Sequence, residues 1–199
     1  KELSINTTPE NAMLVIAEMF KDIHPLIPNH IGLFDDEFEP RAFGDNFQIA
    51  GTATILIEAG GYQHDFEKQK IRKYYFGAML SGLIAIAKET YKQQTRANYF
   101  AIPKNNKQLF HILIHNVKLD GIEVSIGINY EEKPHIDGYS TSKTYSIQDI
   151  GDLSFCDAYQ NYSSTHLKLA GDIILYQDAH FDLFENNQII LSFRNGNLI

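Results

Sequence analysis

The chain has 199 residues, 44% of them hydrophobic, enough for one large domain or two small ones around a packed core. A formal charge of -8 argues against nucleic acid as a partner, because phosphate neutralisation needs clustered Lys and Arg. The single cysteine, Cys156, excludes an internal disulfide and a thiolate metal site.

From the amino terminus, Thr8-Pro9-Glu10 has the pattern of an N-cap, a first-turn proline and a first-turn acid. Met13, Ile16, Ala17, Phe20 and Ile23 then recur at helical spacing, predicting a helix over 9–23 that Pro25 and Pro28 end. Residues 29–51 mix Gly, Asp, Asn and aromatics without a sustained period, so an irregular loop is expected, and loops of that length in compact domains are usually working parts.

Thr52-Ala53-Thr54-Ile55-Leu56-Ile57 is β-branched and almost continuously apolar, the pattern of a strand buried on both faces in a parallel or mixed sheet. It ends at Glu58, and Gly60-Gly61 turns the chain. With Asp65 as a candidate cap, Ile71, Tyr74, Tyr75, Ala78, Met79, Leu83 and Ile86 mark a long helix to about residue 93. No run reaches the roughly 20 apolar residues that span a bilayer: the longest, 76–87, is broken by Gly77, Ser81 and Gly82, so no membrane partner is expected.

Beyond the polar stretch 88–98 the hydrophobic period changes to two. Strands are expected at 108–117, 123–130, 143–147, 172–176 and 189–193, with turns at Asp120-Gly121, Asn186-Asn187 and Asn195-Gly196. The expected class is thus α/β, with helices and a mixed sheet over residues 1–97 and a small β-rich sandwich or barrel-like domain over 98–199.

A carboxylate closing an apolar strand is costly unless it lies at the sheet's carboxyl edge, where open α/β sheets bind ligands. Glu58 is therefore either a site residue or a salt-bridged or solvated strand end. In the loop before it, Phe34, Phe38, Phe43 and Phe47 interleave with Asp35, Asp36, Glu37, Glu39, Arg41, Asp45 and Asn46, a composition suited to a cleft wall. The Arg41 fork could bind a carboxylate, or pair internally with Asp45 or Glu39.

Phe34-Asp35-Asp36-Glu37-Phe38-Glu39-Pro40-Arg41-Ala42-Phe43-Gly44-Asp45-Asn46-Phe47-Gln48, followed by Gly51 and the strand pattern through Glu58 to Gly61, resembles the late catalytic segment of bacterial zinc carboxypeptidases of the carboxypeptidase A-like family. The resemblance covers mainly residues 1–95, and the β-rich remainder is similar to an accessory domain of part of that family. It implies that residues 1–97 are the C-terminal portion of a carboxypeptidase-like mixed sheet with helices. It also implies that Glu58 is the catalytic general base, taking a proton from the attacking water and passing it to the leaving amine. Zinc makes that chemistry possible by acidifying the water and polarising the scissile carbonyl.

The family's zinc ligands, a His-x-x-Glu pair and a later histidine, precede the catalytic glutamate, as do its substrate-binding arginine and asparagine. Here they do not precede it. The His64/Glu67 pair follows Glu58 and opens a helix, where Glu67 serves the dipole, and no zinc is expected there. His111 and His115 have zinc-like spacing but lie in a predicted strand without the intervening Glu of a metalloprotease helix, so core-edge or surface histidines are expected. His24 and His30 flank prolines in a turn. No tyrosine falls between Phe34 and Gln48 to supply the aromatic hydroxyl of pancreatic-type members, and Arg41, Phe43 and Asp45 remain as the substrate-side candidates.

The expected function is a zinc-dependent metallocarboxypeptidase, a hydrolase of peptide or amino-acyl amide bonds, with zinc held in the full-length protein and not by this chain. The alternative is a catalytically silent peptide-, glycan- or partner-binding module. A Ser or Cys hydrolase lacks its motif, and a dinucleotide enzyme would want more than Gly60-Gly61. Lacking an initiator methionine and a signal peptide, the chain is expected to begin inside a longer gene product, with its compartment left open. The expected partners are a peptide substrate and, over the exposed sheet, the N-terminal half or a second copy.

Overall fold

The computed structural model describes residues 7–34 and 37–199, the side chains at 7 and 8 excepted. It is a mixture of helix and sheet in two compact units, Lys1–Gly61 with Glu67–Lys107 and Tyr62–Phe66 with Gln108–Ile199. Thr8, expected as the cap before a helix over 9–23, lies within the first helix, which begins at Thr7; its side chain and the acids Asp35 and Asp36 lie outside the described residues.

In the first unit α1 (Thr7–Ile23) packs against α3 (Gln69–Ala87), α4 (Arg96–Phe100) and a 3-10 turn at Thr90–Gln93. α1 buries Ala12, Val15, Ala17, Met19 and Ile23, the inward stripe of an amphipathic helix. Facing it, α3 buries Ser81, Gly82 and Ala85, small residues that let the two backbones approach: a Cβ on Gly82 would lie 2.9 Å from Met19 Sδ. Ser81 Oγ donates to Asp22 at 2.6 Å, and the Arg96 fork grips Glu10 at 2.9 and 3.0 Å, tying α4 to α1. Glu18, nearly buried, accepts from Lys21 and Gln94.

Helix α3 differs from the sequence expectation at both ends and in its exposed face: it stops at Ala87, short of the expected 93, and Glu67 precedes its first turn instead of serving its dipole. It starts at Gln69 behind a left-handed Lys68, and Asp65 does not cap it. Its large apolar side chains, Met79, Leu83 and Ile86 among them, point away from α1 into solvent. A helix apolar all round gives no periodic signal for which side will be covered.

The predicted strand over 52–57 is also corrected, because residues 52–60 carry no strand pairing. An apolar run becomes a strand only when a neighbour accepts its backbone bonds, and among the described residues of this unit the only bridge is a single one from Leu33 to Lys104, so the mixed sheet expected over 1–97 is not formed by them. Within the predicted loop 29–51 a short helix, α2 (Phe43–Ile49), forms without burying any residue.

The second unit holds two four-stranded sheets. One has the order β3 (Thr141–Gly151), β2 (Ile122–Pro134), β1 (Leu109–Leu119), β4 (Asp157–Ser163), with β4 parallel to β1 and the other pairs antiparallel. The other runs β5 (Leu167–Asp172), β6 (His180–Glu185), β7 (Gln188–Arg194), β8 (Asn197–Leu198). Ile112, Ile114, Ile126, Ile128 and Ile147 of the first sheet share one core with Phe181, Leu183, Leu191 and Phe193 of the second. A bulge between Ile114 and Val117 shifts the inward phase of β1 by one, so Val117 rejoins the same core.

The three predicted turns are present. Asp120 and Gly121 both have positive φ, 50° and 84°, as do Asn186 with Asn187 and Asn195 with Gly196, which suits two-residue hairpins. On the opposite face of β1, Gly127 leaves room for a ring, since a Cβ there would lie 2.5 Å from Phe110. The strand expected at 172–176 is largely a turn, and β4, β5 and β6 lie where none was expected. Polar β4 and Gly-containing β5 carry little strand propensity of their own and are drafted by their neighbours.

Across β6 and β7 the Arg194 guanidinium holds both oxygens of Asp182 at 2.8 Å, and Ser192 Oγ adds a third bond at 2.6 Å. The Arg194 and Ser192 bonds lower the Asp182 carboxyl from its ordinary 3.8 to about 2. Because the folded value lies below the unfolded one, the ionised form favours folding, and this contribution is complete above about pH 4. It drains away as pH falls through about 2. We expect acid titration of stability between pH 5 and pH 2 (about the carboxylate range) to be shallower in Asp182→Asn than in the parent. Parallel curves would show that the pair makes no difference to folding.

Candidate functional site

Residues 38–46 form a closed turn. Glu39 accepts from Arg41 three times, through the backbone N–H at 3.0 Å, Nε at 2.8 Å and Nη2 at 3.0 Å. Asp45 accepts the Glu39 N–H at 2.8 Å, and the Asn46 amide donates to the carbonyls of Pro40 and Ala42. The Arg41 hydrogen bonds lower the Glu39 carboxyl, and Glu39 in turn raises Arg41. Of the two partners the sequence offered for Arg41, Glu39 is the one engaged. A substrate carboxylate would have to displace or share Glu39, an inexpensive exchange for an exposed pair.

α2 then presents Phe43, 84% exposed, together with Phe47 and Ile49. The chain leaves α2 through a bond from the Thr52 N–H to the Phe47 carbonyl at 2.9 Å, and Thr54 passes close to Gly44. From there residues 55–60 run extended to α3, where Tyr75 Oη donates to the Ile57 carbonyl at 3.3 Å and Lys68 Nζ to the Gly60 carbonyl at 3.2 Å. These two contacts fix the backbone on either side of Glu58, whose side chain is exposed.

Arg41, Phe43 and Asp45 therefore share one turn and helix, whereas Glu58 stands four residues beyond the Gly44–Thr54 contact, roughly 13 Å along an extended chain. No hydrogen bond or ion pair joins Glu58 to that turn among the described residues. The arrangement offers an unencumbered carboxylate at the end of an extended apolar segment, a cation already held by an acid, and an exposed ring.

Three of the remaining candidates, His111, His115 and Cys156, are accounted for locally. His111 Nδ1 lies 3.0 Å from Asn129 Oδ1, and its ring is tilted against Tyr130 and stacked with Tyr159, with centroids 3.7 and 5.7 Å apart. His115 Nε2 meets Asn161 Oδ1 at 2.9 Å. Burial, then Asp149 and Asp157, push the Cys156 thiol up, the opposite of what a nucleophile needs. Among the described residues no three of His, Cys, Asp and Glu converge as a metal site. The described residues thus offer no set of zinc ligands.

Sequence reasoning missed the outward face of α3 and the aromatic group on the first sheet of the second unit, where Lys143 Nζ also stands 4.4 Å over the Tyr130 ring. The former has no periodic signature. The latter could have been found from the alternation of His111, Tyr130 and Tyr145 on predicted strands.

No helix among the described residues is long and apolar enough to cross a membrane. Comparison with protein-family models, with curated proteins and with solved structures gives no match.

Proposed function

We propose that this chain is the C-terminal portion of a zinc-dependent metallocarboxypeptidase, with Glu58 as the group that moves the proton. The observation that carries the reading is the exposed Glu58 carboxylate at the end of a strand-length apolar segment, followed by Gly60 and Gly61 and preceded by the turn of Arg41, Phe43 and Asp45. An exposed carboxylate within reach of a water can accept a proton from it. Glu58 would take that proton from the attacking water and return it to the leaving amine of a peptide substrate. Phe43 and Arg41 would face the substrate, and Asp45 would hold their turn through the Glu39 N–H. The zinc, held by an upstream portion, would supply Lewis-acid polarisation of the scissile carbonyl when bound.

The test is zinc content and carboxypeptidase turnover of the 199-residue chain beside a form extended upstream. One zinc per chain and cleavage in the extended form alone is the expected result; zinc and cleavage in the short chain would mean the ligands lie within it. Were neither to bind or cleave, a second reading would take precedence: a silent peptide-, glycan- or partner-binding module. The exposure of Phe38, Phe43 and Phe47 on a helix and turn that bury nothing favours that alternative.

A further inference from the structure

We infer that Asn195 is a latent modification site: once the β7–β8 turn releases from β3, and only then, its side-chain amide is lost through a succinimide and the residue becomes aspartate or isoaspartate. Asn195-Gly196 is the only Asn-Gly pair in the chain. Glycine has no side chain to shield its backbone nitrogen, so that nitrogen can reach the Cγ of the preceding Asn in an intramolecular attack favoured by proximity. The new N–Cγ bond closes the succinimide and expels the side-chain nitrogen as ammonia. Water then opens the ring at one of its two carbonyls. Attack at Cγ gives aspartate; attack at the backbone carbonyl gives isoaspartate, whose main chain runs through Cβ and is longer by one carbon.

In the folded chain both reacting groups are held. Gly196 is buried, and the nitrogen that would attack donates its N–H to the Ala179 carbonyl at 2.9 Å. The Gly196 carbonyl accepts the Tyr145 N–H at 2.8 Å, and the Tyr145 carbonyl accepts the Ala179 N–H at 2.9 Å, so backbone bonds latch the turn to β3. The Asn195 side chain is turned to another partner, with Oδ1 2.9 Å from His180 Nδ1, and the Asn197 amide donates to the Arg194 and Asn195 carbonyls at 3.2 Å. Space is equally tight, since a Cβ on Gly196 would lie 2.7 Å from Thr144 Cγ2 and 3.2 Å from the Tyr145 carbonyl oxygen. Attack requires the nitrogen to leave Ala179 and the Asn195 side chain to leave His180, and both require the turn to lift off β3.

The shape of the turn does not by itself give this protection. Asp120-Gly121 has nearly the same φ values, 50° and 84° against 49° and 77°, yet both of its residues are exposed and a Cβ on Gly121 would meet nothing within 4 Å. What sets Asn195 apart is the latch. The isoaspartate branch is also one-way for the fold. It places an extra main-chain carbon between Arg194 and Gly196, so Gly196 cannot meet Ala179 and Tyr145 while Arg194 stays paired with Asn197. A chain that has opened here long enough to react by this branch does not latch again, and residue 195 thereby records the opening.

The test is peptide mapping by mass spectrometry of the 199-residue chain after incubation at mildly alkaline pH, folded and in denaturant. Conversion of Asn195 should be about 100-fold slower in the folded chain, the size expected when reaction waits on local opening. Asp120→Asn supplies the matched control, an amide beside glycine in a turn of the same shape without a latch, and in the folded chain it should react at least about 10-fold faster than Asn195. Equal rates at Asn195 in the folded and denatured chain would overturn the inference. Equal slowing at the two turns would overturn it as well, because the turn's shape would then be the protection. Asn195→Asp keeps the main chain intact and should melt with the parent, whereas the purified isoaspartyl chain should melt lower; identical melting of all three would refute the one-way latch.

Discussion

Glu58→Gln in the upstream-extended protein is expected to lower turnover about 10²–10⁴-fold, the usual worth of a positioned general acid–base, with bound zinc unchanged. Glutamine keeps the shape of the side chain and removes its capacity to accept and return a proton, so a loss confined to kcat separates proton transfer from binding. The structure supplies the control. The Glu58 side chain is exposed, and its neighbours are held through backbone carbonyls by Tyr75 and Lys68. Melting should therefore be the same in Glu58→Gln and the parent. Unchanged turnover with a lowered melting temperature would assign Glu58 a purely structural role and remove the main support for the peptidase reading. Phe43→Ala provides a contrast, since losing an exposed ring on the substrate side should raise KM and spare kcat.

Phe181→Ala should destabilise the second unit by about 3–5 kcal/mol, the range for removing a large aromatic from a close-packed core. Phe181 and Phe193 are almost wholly buried, with ring centroids 5.2 Å apart, at the point where the two sheets share their core. Truncation removes the ring contact and leaves a void that the β6–β7 pairing can close only by bending. Against a total stability of roughly 5–15 kcal/mol, such a loss would bring the unit close to its unfolding midpoint. With no tryptophan and 11 tyrosines in the chain, tyrosine fluorescence during chemical denaturation is the direct measurement. Leu83→Ala, on the bare face of α3, should by comparison shift stability by no more than about 0.5 kcal/mol. Equal effects of the two substitutions would refute the described core.

What could be read in the sequence was what local chemistry alone determines. Pro25 and the spacing through Ile23 delimited α1, and Asp-Gly, Asn-Asn and Asn-Gly pairs fixed the three hairpin turns through their positive φ. What could not be read depended on distant partners. The run at 52–57 has every property of a strand except a neighbour, and α3 has too many apolar positions for its covered side to be deduced. β4 and β5 become strands because β1 and β6 offer them ladders, despite their own weak propensity. At the site, Glu58 stood out because a charge ends an apolar run. The Glu39 clasp on Arg41 was one of two pairings the sequence allowed, and geometry chose between them.

The division of the chain into units carries a consequence for how the protein is made and cut. The backbone leaves the helical unit after Gly61, contributes Tyr62–Phe66 to the sandwich, and returns at Glu67 before crossing finally at Gln108. Phe66 packs its ring against Tyr159, with centroids 5.5 Å apart, so the sandwich includes a residue synthesised long before its own strands. During translation that short insert must wait, solvent-exposed, until β4 has been made. No single proteolytic nick or gene truncation can separate the two units cleanly. A cut before Gln108 removes Phe66 from the sandwich, and a cut before Tyr62 divides the helical unit between α2 and α3. The helical unit and the sandwich are in this sense interlaced along the polypeptide, and they would have to be inherited, exchanged or engineered as one cassette.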